Sequence, residues 1–260
     1  MSDLVLHETN GPVAILTLNR AQRHNSLVPI FLEELLDGIT AVSATPTTTR
    51  ALILQANGRS FSTGGDALGF VEHEHMAELY ASEIVGLLNR VILALLDLPI
   101  PVITAVNGTT TGGSIGLALA ADIVLVTPEA SFTPYYSVVG PSPDGGWTAL
   151  LPQVIGRQRA AEVLFTNAKI DAATAVAWGL ANRLVPADQL RETAVAIGQD
   201  IAAKKQGSIR RTKRLLYPDR DEIARRLEAE RQQFVQEVAH GEAMAGFQAF
   251  VDELRRKRKV

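Results

Sequence analysis

The sequence contains no cysteine. Disulfides, thiolate nucleophiles and thiolate metal sites are excluded together, and a chain that needs no oxidising compartment is expected in the cytoplasm. Metal-ligand spacing is also missing: His73 and His75 lie two apart and diverge on a helix, so no metal site is expected. No complete G-x-G-x-x-G opens a helix after the first strand, which argues against a dinucleotide turn. No fixed repeat period is visible. The opening Met1-Ser2-Asp3-Leu4 lacks the basic stretch of a signal or transit peptide, and neither is expected. Charge is absent between Asp97 and Asp122, a span long enough for a bilayer, but Pro99, Pro101, Asn107, Gly108, Gly112 and Gly113 interrupt it. That stretch reads as a buried strand, a turn and a buried helix.

With 260 residues, 47% hydrophobic and 20% charged, the sequence has material for one large α/β domain or a main domain with a smaller appendage. Its net charge of -3 conceals an asymmetry: residues 1–200 hold 10 Lys/Arg against 19 Asp/Glu, and residues 201–260 hold 15 against 9. A basic tail suits nucleic acid, a membrane surface or a phosphorylated small molecule, or else a solvated helical face that pairs with the acidic body. Aromatic side chains for base stacking are sparse there, which disfavours nucleic acid.

Residues 12–19, 51–56, 102–106 and 123–126 are short apolar runs that read as buried strands. Residues 28–42, 72–98 and 115–121 carry helical spacing, the second stopped by Pro99. Residues 58–66 read as a polar glycine loop. The alternation implies an α/β layer arrangement with mostly parallel pairing. From Thr148 the pattern is almost entirely helical, and a soft boundary near residue 195 divides a core, 1–195, from a helical region, 196–260, expected to act as an oligomerisation arm or lid.

Two glycine turns follow buried strands: Phe61-Ser62-Thr63-Gly64-Gly65-Asp66 and Asn107-Gly108-Thr109-Thr110-Thr111-Gly112-Gly113-Ser114. Glycine lets another molecule's polar atom approach the backbone, and a glycine turn at a helix start leaves N–H groups with no internal partner. Side by side, two such turns would make a pocket that stabilises an oxyanion or enolate as charge develops.

These turns, together with Asn19-Arg20, Asn25-Ser26-Leu27, Leu117-Ala118-Leu119-Ala120-Ala121-Asp122, Phe132, Gly145-Gly146 and Trp178-Gly179-Leu180, resemble the enoyl-CoA hydratase/isomerase, or crotonase, superfamily over essentially the whole chain. The resemblance implies a spiral core of repeated ββα units with a C-terminal helical appendage, a homotrimer or hexamer, and an acyl-CoA thioester as substrate. CoA is then part of the substrate and no cofactor is expected. It also implies that the N–H groups of Gly65 and Gly113 grip the thioester oxygen, and that Arg23, Asn25, Ser62, Gly64, Asp66, Ala67, Leu68 and Tyr136 contact substrate. Arg20, Arg23 and His24, with the tail 255–259, are the cations implied for the CoA phosphates. Read for their own chemistry, Asp66 and Asp122 are expected to tie down turns.

The catalytic acids depart from the hydratase pattern. The positions that the resemblance assigns to the two hydratase glutamates hold Gly116 and Tyr136 here. Hydration needs a base for the water and an acid for the carbon, so the loss of both argues against it. Asp144, just before Gly145-Gly146, matches the single carboxylate of family members that isomerise unsaturated or ring-epoxide acyl-CoAs. One carboxylate can take a proton from one carbon and return it to another if the intermediate dienolate is held. Asp144 is therefore expected to be the proton shuttle, or otherwise an N-cap for a helix starting near Gly145. Tyr80, Tyr135, Tyr136 and Trp147 are candidates for the acyl pocket or for the core.

Other readings carry different signatures. A hydratase with non-standard acids, or a non-catalytic relative that binds CoA or RNA, would keep the fold without Asp144 chemistry. A serine hydrolase would use Ser114 of the literal G-x-S-x-G at 112–116 with Asp171 or Asp188 and His240, although its elbow should follow the strand at once and residues 107–111 intervene.

Overall fold

The computed structural model describes residues 3–45, 47–217 and 219–257. β1 (Val5–Asn10) and β2 (Val13–Leu18) form an antiparallel hairpin, and α1 (Pro29–Ser43) follows, with its proline in the first turn where no N–H is needed. Three ββα units come next. β3 (Ala51–Ala56) and β4 (Ser60–Ser62) lead into α2 (Ala67–Glu72) and α3 (Ala77–Asp97); β5 (Val102–Val106) and β6 (Thr109–Thr111) lead into α4 (Gly116–Leu119); β7 (Ile123–Val126) and β8 (Ser131–Thr133) lead into α5 (Tyr136–Val139). After them stand α6 (Leu151–Ile155), α7 (Arg157–Thr166), β9 (Ile170–Asp171), α8 (Ala172–Trp178) and β10 (Arg183–Leu184). Four helices complete the described chain: α9 (Leu190–Ala202), α10 (Gln206–Leu216), α11 (Arg220–Ala239) and α12 (Glu242–Lys257).

The first strand of each unit enters one sheet, ordered β1-β2-β3-β5-β7-β10, and the second enters another, ordered β4-β6-β8-β9. Pairing is parallel from β2 through β10 in the large sheet. Its central strands β2, β3, β5 and β7 are covered on both faces, which is why they read as mostly apolar runs, whereas β1 and β10 at the edges are exposed. Ala14, Leu16 and Leu18 of β2 point to the main core with α1 and α3, whereas Val13 and Ile15 point to a second core closed by Leu190 and Ala194 of α9. The expected strands at 51–56, 102–106 and 123–126 are present with those limits.

Three expectations change. The loop read at 58–66 contains β4, Ser-Phe-Ser, and the second glycine turn contains β6, Thr-Thr-Thr; each is three residues long, too short to show the periodicity that marks a strand. The single helix read at 72–98 is α2, a short 3-10 turn and α3. The stretch Glu74–Asp97 is apolar and long enough to cross a membrane by composition, but 61% of its most apolar window is buried in the protein, as befits a core helix. The boundary expected near 195 falls inside α9, and Ile223, Leu227, Phe234 and Phe247 beyond it join the main core.

Part of the basic tail is spent on the body. Lys213 of α10 is buried and donates to Asp122 at 2.8 Å and to the carbonyls of Leu95 and Ile100, while Asp122 also accepts from Val102 N. Arg220 pairs with Asp97 at 2.7 Å. Burial lowers the Lys213 ammonium below its ordinary value, and Asp122 opposes that shift.

Candidate active site

β4 and β6 are parallel neighbours, Ser60 opposite Thr109 and Ser62 opposite Thr110, so the glycine turns that follow them are adjacent. Gly64 has φ +71°, and a Cβ there would stand 2.6 Å from the Thr111 carbonyl oxygen. Only glycine allows that approach. Beside it, Leu27 N donates to the Gly64 carbonyl and Asp66 N donates to the Leu27 carbonyl, which turns the Gly65 N–H to the opposite side. Gly113 lies in the first turn of the 3-10 segment Gly112–Ile115, where the helix offers its N–H no acceptor. Both glycines line one cavity of about 360 Å³.

Asp144 lines the same cavity and is 7% exposed. Its carboxyl lies against the second turn: a Cβ built on Gly113 would stand 2.6 and 2.9 Å from its two oxygens. Tyr136 Oη donates to Asp144 Oδ1 at 2.5 Å. Burial pushes the Asp144 carboxyl up to about 7; the Tyr136 hydrogen bond opposes the rise and the charge of Glu230 adds to it. Burial, then the Asp144 charge, drives the Tyr136 phenol well above its ordinary value, so Tyr136 remains a donor. The remaining wall is apolar and aromatic, with Phe70, Ile84 and Leu88 from α2 and α3, Phe234 from α11 and Phe247 and Val251 from α12. Arg23, His24 and Arg255 stand on the same lining. The arrangement joins two glycine turns, one acid of near-neutral proton affinity and an apolar chamber.

The first turn is braced by charge. Asp66 caps α2 through Leu68 N and accepts from Arg20 at 2.9 Å, Arg23 at 3.0 Å and Ser26 Oγ at 3.1 Å. Burial opposes its charge, but the hydrogen bonds from Arg20 and Arg23 outweigh burial and hold its carboxyl below the ordinary value.

The family model for enoyl-CoA hydratase/isomerase matches residues 8–259. The chain belongs to the enoyl-CoA hydratase/isomerase family. It is 38% identical over 228 residues to a protein of Mycobacterium bovis named probable enoyl-CoA hydratase, covering 84% of this chain and 78% of that one. It is 33% identical over 205 residues to the 1,2-epoxyphenylacetyl-CoA isomerase of Escherichia coli, covering 78% of each. The crystal structure of an enoyl-CoA hydratase/isomerase from Mycobacterium paratuberculosis superposes with a TM-score of 0.87 at 25% identity, over 96% of this chain and 99% of that one. The expected crotonase fold, α/β with a C-terminal helical region, is the one observed.

Within this family site the expected residues divide. Gly65, Gly113, Asp144, Arg23, Asp66, Ala67, Leu68 and Tyr136 line the cavity. Asn25, Ser62 and Gly64, expected to contact substrate, do not line it and instead hold the turns. Asn25 is fully buried, donates to the carbonyls of Asn57 and Ser60 and accepts from Arg20 N; Ser62 Oγ donates to the Asn25 carbonyl at 2.7 Å. Arg20, expected near a CoA phosphate, is committed to Asp66 and Ser26. Of the tail 255–259, Arg255 lines the cavity, and Arg258 and Lys259 lie outside the described residues.

Among the candidate aromatics, Tyr135 and Tyr136 line the cavity, whereas Trp147 is fully buried with Nε1 donating to the Gly112 carbonyl at 2.8 Å, and Tyr80 packs on Phe70 and His73. Ser114 is fully buried and donates to the carbonyls of Ser62 and Thr111, a structural role that leaves the hydrolase reading without a nucleophile. The helix expected near Gly145 is a run of turns at 145–150, and the amide an N-cap would serve, Gly146 N, donates to Glu230 instead. Glu230 was not a sequence candidate. Its signal is positional: it interrupts the apolar stripe Ile223, Leu227, Phe234 and Val238 of α11.

Proposed function

We propose that this family member is a double-bond, or ring-epoxide, isomerase of an acyl-CoA that uses Asp144 as its proton shuttle. The carboxylate takes a proton from the α-carbon of a 3-enoyl thioester. The electron pair spreads into a dienolate whose oxygen accepts from the N–H groups of Gly65 and Gly113. Asp144 then returns the proton to the γ-carbon, which gives the conjugated 2-enoyl thioester and restores the carboxylate. A proton transfer of this kind changes no oxidation state and calls for no redox cofactor.

The observation that carries this reading is the buried Asp144 carboxyl beside the Gly113 turn, with a proton affinity near neutrality. Such a group both accepts and returns a proton efficiently at pH 7. Support against hydration comes from the first hydratase position. A Cβ on Gly116 would stand 2.6 Å from the Gly145 carbonyl oxygen and would also meet Ile92, so the space for a side chain is already filled. At the other position stands Tyr136, a donor to Asp144 and no base.

The test is a panel of 2-enoyl- and 3-enoyl-CoAs of varied acyl groups, with hydration and isomerisation scored separately across pH 5 to 9. Isomerisation is expected to dominate hydration by about 100-fold or more, since each missing acid or base removes a factor of roughly that size. Its kcat/KM is expected to rise with pH through about 7, because the base must be ionised and the Asp144 carboxyl has been raised to that value. Equal or faster hydration, or a profile flat from 5 to 9, contradicts the assignment.

A further inference from the structure

Glu230 lies on the buried stripe of α11 and is 5% exposed. A carboxylate in that setting needs strong compensation. It receives four hydrogen bonds: Oε2 accepts from Gly146 N at 2.8 Å, and Oε1 accepts from Thr148 N at 2.7 Å, Thr148 Oγ1 at 2.6 Å and Ala149 N at 2.9 Å. Every one is a donor, which fits the anion and leaves little place for a proton. Burial still pushes the Glu230 carboxyl above its ordinary value, with those four bonds pulling it back.

All four donors belong to residues 146–149, directly after Asp144. The same turn presses on the second glycine turn. A Cβ on Gly145 would stand 2.6 Å from the Gly113 carbonyl carbon, and Trp147 Nε1 donates to the Gly112 carbonyl. Asp144, the Gly113 amide and the Glu230 carboxylate are therefore parts of one braced unit, anchored on a helix that is remote in sequence. Four residues further along that helix, Phe234 lines the cavity.

Resting on the isomerase reading, we propose that Glu230 is a positioning residue for Asp144: its buried carboxylate fixes the turn that holds the shuttle carboxyl against the Gly113 turn. The titratable groups that face Asp144 are Tyr136 from α5 and Glu230 from α11, and Arg23, His24 and Asp66 of the first turn and Arg255 of α12 line the same cavity. Tyr136 favours the Asp144 anion by donating to it. Glu230 disfavours the anion by like charge.

Glu230→Gln tests this: an amide oxygen placed as Oε1 retains three of the four bonds, while the charge disappears and the amide NH2 meets the Gly146 N–H, which loosens the turn next to Asp144. In protein labelled with ¹³C at the Asp carboxyls, the Asp144 signal is identified by its loss in Asp144→Asn and is expected to titrate near about 7. In Glu230→Gln its midpoint is expected lower by about half a pH unit or more. With an acyl-CoA that the wild type isomerises, kcat is expected to fall about tenfold with KM within about twofold, the pattern of a misplaced catalytic group. Glu230→Asp keeps the charge but withdraws it from the turn, and is expected to lose kcat while the midpoint stays close to the wild-type value. A midpoint unmoved in Glu230→Gln, with kcat within about twofold, overturns the proposal. Should that variant fail to fold, Glu230→Asp decides, and a wild-type kcat there overturns it. The titration needs no turnover. A wild type that isomerises nothing therefore contradicts the functional reading, and in that case an unmoved midpoint in Glu230→Gln overturns the proposal for Glu230.

Discussion

Asp144→Asn is expected to lower the rate of the double-bond shift by about 10³-fold and at the same time to stabilise the protein above neutral pH. The rate loss follows from removing the base. Asn keeps the shape and the carbonyl oxygen that Tyr136 donates to at 2.5 Å, so the cavity and its two glycine turns are retained. The stability gain follows from linkage. In the folded protein the Asp144 carboxyl is raised from 3.8 to about 7, so between those values the folded state holds a proton that the unfolded state has released. Stability contributed at this site therefore falls as pH rises from about 4 to about 7, and above that the full loss persists. Its size is roughly 4 kcal/mol at about 1.4 kcal/mol per pH unit. Asn carries no charge to desolvate. Urea denaturation at pH 8 is expected to show the variant more stable than the wild type by about 2–4 kcal/mol, with the difference shrinking towards pH 4. A variant less stable at both values would show that the carboxyl is not held against its own solvation.

Gly145→Ala is expected to be the most damaging small substitution at the site. Gly145 has φ +66°, where an L-residue is strained by about 1–2 kcal/mol, and its Cβ would meet the carbonyl group and Cα of Gly113. That neighbour is backbone and has no rotamer to move. Overpacking of this kind adds about 1–3 kcal/mol, so a total destabilisation of about 2–5 kcal/mol is expected by urea denaturation. The relief available to the chain is to separate the two turns, which moves Asp144 away from the Gly113 amide. Activity is then expected to drop by about 10² or more even in the fraction that folds. A stability change below about 1 kcal/mol with full turnover would mean that the contact between the turns does not matter.

The parts of the molecule that were legible in the sequence are those where one physical rule acts alone. β3, β5 and β7 are largely buried on both faces and so are mostly apolar, and their limits are readable to the residue. The two glycine turns stand out as motifs, and the family resemblance singles out Gly65, Gly113 and Asp144. Other features depend on partners far along the chain. β4 and β6 are strands because they pair with each other, and β6 with β8; three residues such as Ser-Phe-Ser or Thr-Thr-Thr do not by themselves specify one. Asn25 and Ser62 looked like substrate ligands by motif, yet their polar atoms are taken up by carbonyls of the neighbouring turn. The Tyr136 hydroxyl and Asp144 meet across a tight bend. Glu230 reaches the turn at 146–149 across more than 80 residues, a meeting that depends on how α11 packs.

The account stands on one carboxyl moving one proton while two amides hold the carbonyl. Its most direct measurement is loss of the α-proton from a 3-enoyl-CoA in D₂O at pH 8, followed by ¹H NMR for the wild type and Asp144→Asn. The wild type is expected to remove that proton during the double-bond shift, and the variant to do so about 10³-fold more slowly. A variant that removes it at the wild-type rate would contradict the role given to Asp144.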